Sequence, residues 1–145
     1  MGRLTREDIK RLLPHREPIL FVDEVTVEGE VAIGTYTVRG DEWFLQGHFP
    51  DNPVVPGVIL CEMMAQSGCV LLPELADGGM TPYFAGLDKV RFKHMVRPGD
   101  TVTFTCTITG KKDTPNGGIY FGKGEGHVAE TLCMTGEFAL AVRGA

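Results

Sequence analysis

Residues 46–66 read QGHFPDNPVVPGVILCEMMAQ, and the fold turns on how this stretch is read. Its second half is an apolar run, with Val58, Ile59, Leu60, Met63 and Met64 around a single carboxylate, Glu62. Its first half is stiff: Pro50, Pro53 and Pro56 each fix φ and push the preceding residue towards an extended backbone. Pro56 suits the first position of a helix, so the pattern predicts a helix over roughly residues 56–72. Apolar residues lie on nearly every side of that helix, which predicts that it is enveloped rather than docked along one face.

What envelops it is legible on either side. Thr5 and Asp8 have the spacing of a capping box for a short helix carrying Ile9, Leu12 and Leu13, which Pro14 stops. Residues 19–28 and 30–39 read as two strands joined at Gly29. Residues 41–45 read as a turn of helix. Gly78-Gly79 breaks the chain, and beyond it 83–92, 101–110, 118–127 and 131–142 read as strands. Turns fall at Pro98-Gly99-Asp100 and Pro115–Gly118. About six strands thus surround one long helix, and only that helix can cover a face of the sheet. The class is α+β, in a single domain over residues 1–145.

Composition narrows the function. A net charge of −5 argues against nucleic-acid binding, which needs a basic face. Residues 54–72 have the length of a membrane span, but Pro56, Glu62 and Gln66 argue against one. The first residues, MGRLTREDIKRLLPHR, lack the apolar core of a signal peptide, and a cytoplasmic protein is expected. Cys61, Cys69, Cys106 and Cys133 form no CxxC pair and read as buried, reduced thiols. The histidines are scattered, so no metal site is expected.

The chemistry concentrates in the quoted stretch. The proline loop either holds the His48 imidazole at a set distance from the helix start or is a plain ordered connection. The amides of Gly57 and Val58 precede the first intrahelical bond and can stabilise an oxyanion. Gly57 has no side chain to shield them. Glu62 lies roughly 8 Å further along the helix axis, and Gln66, four residues on, shares its face. A carboxylate among apolar residues needs hydrogen bonds, a pocket or a raised pKa. Glu62 and Gln66 either tie the helix to the sheet or form an acid–base group with its orienting partner.

The run F-L-Q-G-H-F-P-x-x-P-V-V-P-G-V-x-x-x-E-x-x-A-Q, Phe44 to Gln66, resembles the (3R)-hydroxyacyl-[acyl carrier protein] dehydratases of type II fatty acid synthesis, the FabZ type. So do LPHREP (13–18), FVDEV (21–25), YFAGLDKVRFK (83–93) and VRPGD (96–100). The resemblance implies a hot-dog fold, a curved antiparallel sheet wrapped around one central helix. It implies a homodimer whose sheets join side by side, often assembled three dimers to a hexamer. It also implies active sites made of His48 from one subunit and Glu62 from the other, with the Gly57 amide as oxyanion donor and Val58 beside it. The related dehydratase–isomerases carry aspartate where Glu62 stands, so a dehydratase is implied. Met63 stands where the family more often has alanine, which bears on chain length.

The implied reaction converts a (3R)-3-hydroxyacyl thioester, held on the carrier's phosphopantetheine arm, into the trans-2-enoyl thioester and water, with no cofactor. The carrier is acidic, and KVRFKHMVR (89–97) offers Lys89, Arg91, Lys93 and Arg97, with His94, as a local basic patch. Strand alternation predicts that Lys89, Arg91 and Lys93 share a face; an ordinary solvated strand face is the plain alternative. Two rival functions stand beside dehydration: a thioesterase on the same fold, and a non-catalytic acyl-carrier-binding paralogue.

Overall fold

The computed structural model describes residues 2–49, 51–76 and 80–144. Pro50 and the expected break at Gly78-Gly79 lie outside the described residues. The chain runs β1 (Arg3–Leu4), α1 (Arg6–Leu12), β2 (Glu24–Glu28), β3 (Val31–Thr37), α2 (Gly57–Cys69), β4 (Met80–Phe92), β5 (Thr101–Thr114), β6 (Gly117–Val128) and β7 (Thr131–Gly144). Single 3-10 turns cover Trp43–Leu45 and Pro73–Leu75. All seven strands form one sheet in the order β1-β2-β3-β5-β6-β7-β4, every pairing antiparallel. This is the hot-dog arrangement, with seven strands instead of about six; the addition is the two-residue β1.

The capping box closes α1 as its spacing predicts. The Asp8 amide donates to Thr5 Oγ1 (3.3 Å) and the Thr5 amide to Asp8 Oδ2 (3.0 Å). The strand expected over 19–28 begins only at Glu24. Side chains engage the backbone before it. Arg6 donates to the carbonyls of Leu20 (2.9 Å) and Val22 (3.1 Å). Gln66 donates to the carbonyl of Ile19 (2.8 Å) and accepts from the Phe21 amide (2.8 Å). These backbone groups are satisfied without a strand neighbour.

Helix α2 starts one residue later than predicted, because Pro56 is its N-cap, and ends at Cys69. From Leu60 on, every residue but Glu62 is buried. The helix packs on β3, β4, β5, β6 and β7. Its close approach to the sheet depends on missing side chains. A Cβ on Gly34 of β3 would lie 2.2 Å from Ser67 Oγ and 2.7 Å from Ser67 Cβ. The Ser67 hydroxyl cannot simply swing away, since it donates to the Met63 carbonyl (2.9 Å). Gly34→Ala should therefore destabilise the fold by about 1–3 kcal/mol. Urea unfolding would read this as a lower midpoint at unchanged slope.

All four cysteines are free and buried. Burial pushes the Cys106 thiol up to about 12 and raises that of Cys69 as well. They remain protonated packing groups rather than nucleophiles.

Candidate active site

His48 sits at the end of a braced turn. Glu42, buried just before Trp43–Leu45, accepts from the Tyr36 hydroxyl (2.7 Å) and from the amides of Arg39 (2.9 Å) and Gly40 (2.8 Å). Burial alone would raise its carboxyl; those hydrogen bonds outweigh burial and hold it below the ordinary value. The His48 amide then donates to the Leu45 carbonyl (3.3 Å). Its ring Nδ1 lies 2.9 Å from the Val54 carbonyl. A carbonyl only accepts, so Nδ1 carries hydrogen, and in the neutral ring Nε2 holds the free lone pair of a base. The Phe49 ring stacks on the imidazole (centroids 4.3 Å, planes 29° apart). Phe49 takes φ +56° to do so, a conformation that costs a side-chain-bearing residue energy and that surrounding structure must hold. Val54 presents its carbonyl to the ring while the Val55 amide bonds the Val96 carbonyl (2.8 Å).

His48 opens onto a pocket of about 540 Å³ whose wall includes Gly57, Val58, Phe92, Lys93 and Met95. The first intrahelical bonds of α2 run from Ile59 and Leu60 to the Pro56 carbonyl (2.9 and 3.2 Å). The Gly57 and Val58 amides precede those bonds and carry the positive end of the helix dipole. Imidazole and helix start thus face one space. The bare Cα of Gly57 faces Phe92, another part of that pocket's wall. The Phe92 ring lies over it, and a Cβ there would come within 2.7 Å of the ring. Phe92 was not singled out in the sequence, because its partner is 35 residues away.

Glu62 points elsewhere. It borders a separate cavity of about 20 Å³, the room of about one water, with His15, Pro82, Phe84 and Leu140 in its wall. No lining residue is common to the two pockets. Gln66 serves both of the roles open to it: it ties α2 to residues 19–21 and donates to Glu62 Oε2 (2.8 Å). His15 Nε2 is 3.4 Å from the same oxygen. His15 was visible only as a letter of LPHREP. Met63 is fully buried and lines neither pocket.

The basic run does not share one face. A bulge between Asp88 and Arg91, with Lys89 at φ +52°, interrupts the alternation. Lys89 turns to Glu137 (3.8 Å) over the outer sheet, whereas Lys93, just past the end of β4, lines the His48 pocket. Arg97 is hydrogen-bonded to Asn52. Among the described residues no cluster of three or more His, Cys, Asp or Glu could hold a metal ion, and no helix is long and apolar enough to cross a membrane.

The chain is similar in structure to the dehydratase heterocomplex ApeI:P from Xenorhabdus doucetiae, with TM-score 0.74, 20% identity, and 94% of this chain and 90% of the other covered. A fluoroacetyl-CoA-specific thioesterase, FlK, shares the fold at TM-score 0.63 and 16% identity, over 79% of this chain and 85% of its own. In sequence, a 3-hydroxyacyl-[acyl-carrier-protein] dehydratase FabZ of Oenococcus oeni is 48% identical over 76% of this chain and 81% of its own. The FabZ of Clostridium perfringens is 44% identical over 93% and 96%. The family model for FabA-like domains matches residues 13–137. The chain belongs to the FabA-like domain family, among its FabZ-type dehydratases.

Proposed function

We propose that this protein removes water from (3R)-3-hydroxyacyl thioesters carried on acyl carrier protein, giving the trans-2-enoyl thioester, in the cytoplasmic synthesis of fatty acids. One observation carries the chemistry: a histidine with its tautomer fixed by a carbonyl faces the same pocket as the free amides of a helix start. The thioester carbonyl acidifies C2–H. His48 Nε2 takes that proton, and the Gly57 amide, with Val58 beside it, stabilises the enolate-like oxygen. Hydroxide is a poor leaving group, so Glu62 protonates the C3 oxygen as the C3–O bond breaks, and water departs. His48 has gained a proton and Glu62 has lost one; the reaction needs no redox partner.

The two groups lie in different pockets of one chain, and β4 supports how they meet. It ends the sheet with a free edge, and its residues 83–89 are exposed, Tyr83, Phe84 and Leu87 among them. A long apolar edge of this kind calls for a partner strand. Antiparallel pairing with its own copy about a two-fold axis at Leu87 matches residue 82 with 92. That brings the His48 pocket, walled by Phe92, to the partner's Glu62 cavity, walled by Pro82 and Phe84. The homodimer, alone or as three dimers in a hexamer, thus completes two shared sites.

The experiment is to incubate the protein with 3-hydroxybutyryl-carrier and follow enoyl-thioester absorbance together with free thiol. Enoyl formation without thiol supports dehydration. Thiol without enoyl would mean hydrolysis, and neither would mean a binding subunit. For carrier docking, Lys93 lines the His48 pocket and Arg91 precedes it by two residues, whereas Lys89 lies over the outer sheet and Arg97 is hydrogen-bonded to Asn52. Arg91→Glu or Lys93→Glu should raise KM for carrier-linked substrate roughly 3- to 10-fold, with a smaller effect on a short thioester analogue. Equal effects on both substrates would count against docking.

A further inference from the structure

Leu13–Pro18, between α1 and the segment leading to β2, is built more firmly than a connection needs. The Arg16 guanidinium donates to the carbonyls of Lys10 (3.0 Å), Leu13 (2.9 Å) and His15 (2.6 Å). Glu17 accepts from Arg6 (2.9 Å), and Gln66 holds the carbonyl of Ile19 just beyond. The result is a fixed imidazole over the carboxyl of Glu62, with side chains 19% and 26% exposed. The 3.4 Å separation of Nε2 and Oε2 is long for a hydrogen bond, as catalytic contacts often are before substrate binds.

The other ring nitrogen fixes the direction of that contact. His15 Nδ1 is buried with no hydrogen-bond partner. A buried N–H without an acceptor is a rarer and costlier state than an unused lone pair. In the neutral ring the hydrogen is therefore on Nε2, the nitrogen that lies 3.4 Å from Glu62 Oε2. The Gln66 amide cannot be turned around either: its oxygen accepts from Phe21 and its nitrogen donates to Ile19, so it too presents N–H to Oε2. Oε2 thus accepts one hydrogen bond, from Gln66, and has the His15 Nε2 as a second donor 3.4 Å away, while among the described residues no hydrogen bond reaches Oε1.

We propose that His15 is a positioning residue: with Gln66 it holds Oε2 of Glu62 as the fixed oxygen, leaving Oε1 as the one that carries the proton to the leaving hydroxyl. This rests on the dehydratase reading above. The donated proton leaves Oε1, the C3–O bond breaks, and the resulting carboxylate keeps its two donors on Oε2. Gln66 is visible in the motif as the partner of Glu62; the second donor comes from a loop 47 residues before it in the chain.

The test compares His15→Ala and His15→Gln, alone and combined with Glu62→Gln, by kcat and KM on carrier-linked substrate. His15→Ala should lower kcat on the order of 10- to 100-fold and leave KM within about twofold. His15→Gln, whose amide N–H reaches the position of Nε2, should recover most of the loss. In the Glu62→Gln background His15→Ala should cost nothing further, because its target is gone. A full additional loss in that background, or a glutamine variant no better than alanine, overturns the proposal. If His15→Ala does not fold, His15→Gln is set against His15→Asn, whose amide stops one bond short; equal kcat values then overturn it. Wild-type turnover in Glu62→Gln alone would strike at the dehydratase reading itself. An inactive Glu62→Gln with unimpaired His15→Ala would remove only the role of His15.

Discussion

His48→Ala should lower kcat for 3-hydroxybutyryl-carrier by roughly 10²- to 10⁴-fold, the range that a positioned base contributes. Among the described residues the variant removes the one imidazole of the pocket whose lone pair is aimed by a carbonyl on the opposite ring nitrogen. It should not unfold the protein. The ring is half-buried and gives up one hydrogen bond to Val54, worth about 1 kcal/mol, so melting should shift by only about 2–4 °C. KM should change little, because the acyl wall and the α2 amides remain. A His48→Ala enzyme turning over at the wild-type rate would exclude His48 as the base.

Glu62→Gln should be as inactive alone, and the pair of variants gives the more telling result when mixed. Glutamine keeps the shape of the side chain and still accepts from Gln66, but it has no acidic proton to give. Each homodimer, His48→Ala or Glu62→Gln, has two defective sites. After subunit exchange about half of the dimers are mixed, and each mixed dimer holds one intact His48 facing one intact Glu62, so about a quarter of wild-type activity should return. Activity that stays at the level of the separate variants would place both groups of a site in one chain, against the proposed pairing of β4.

The sequence showed the enveloped helix, the capping box and the strand pattern after residue 80, and it set His48, Gly57, Glu62 and Gln66 in one short stretch. These are local signals: periodicity, turn chemistry and motif spacing. What it concealed depends on contacts between distant segments. Phe92 over Gly57, His15 against Glu62 and the backbone of 19–22 held by Arg6 and Gln66 leave no period to read. The bulge at Lys89 defeats the alternation rule from within, since one extra residue reverses the face of each side chain that follows. The Val54 carbonyl, which sets the tautomer of His48, has no letter in the sequence at all.

Strand β4 carries two irregularities, between Phe84 and Gly86 and between Asp88 and Arg91, on either side of Leu87. A smooth strand could slide along its copy in steps of about two residues and still satisfy its hydrogen bonds. A strand kinked on both sides of its midpoint matches its copy in a single phase, as two keyed edges do. In the proposed dimer a slip of two residues would carry His48 some 7 Å past the partner's carboxyl. In that proposed dimer the bulges would gauge the span of the active site, and a deletion that straightened β4 would leave a folded, paired protein with its acid and base out of reach of one substrate.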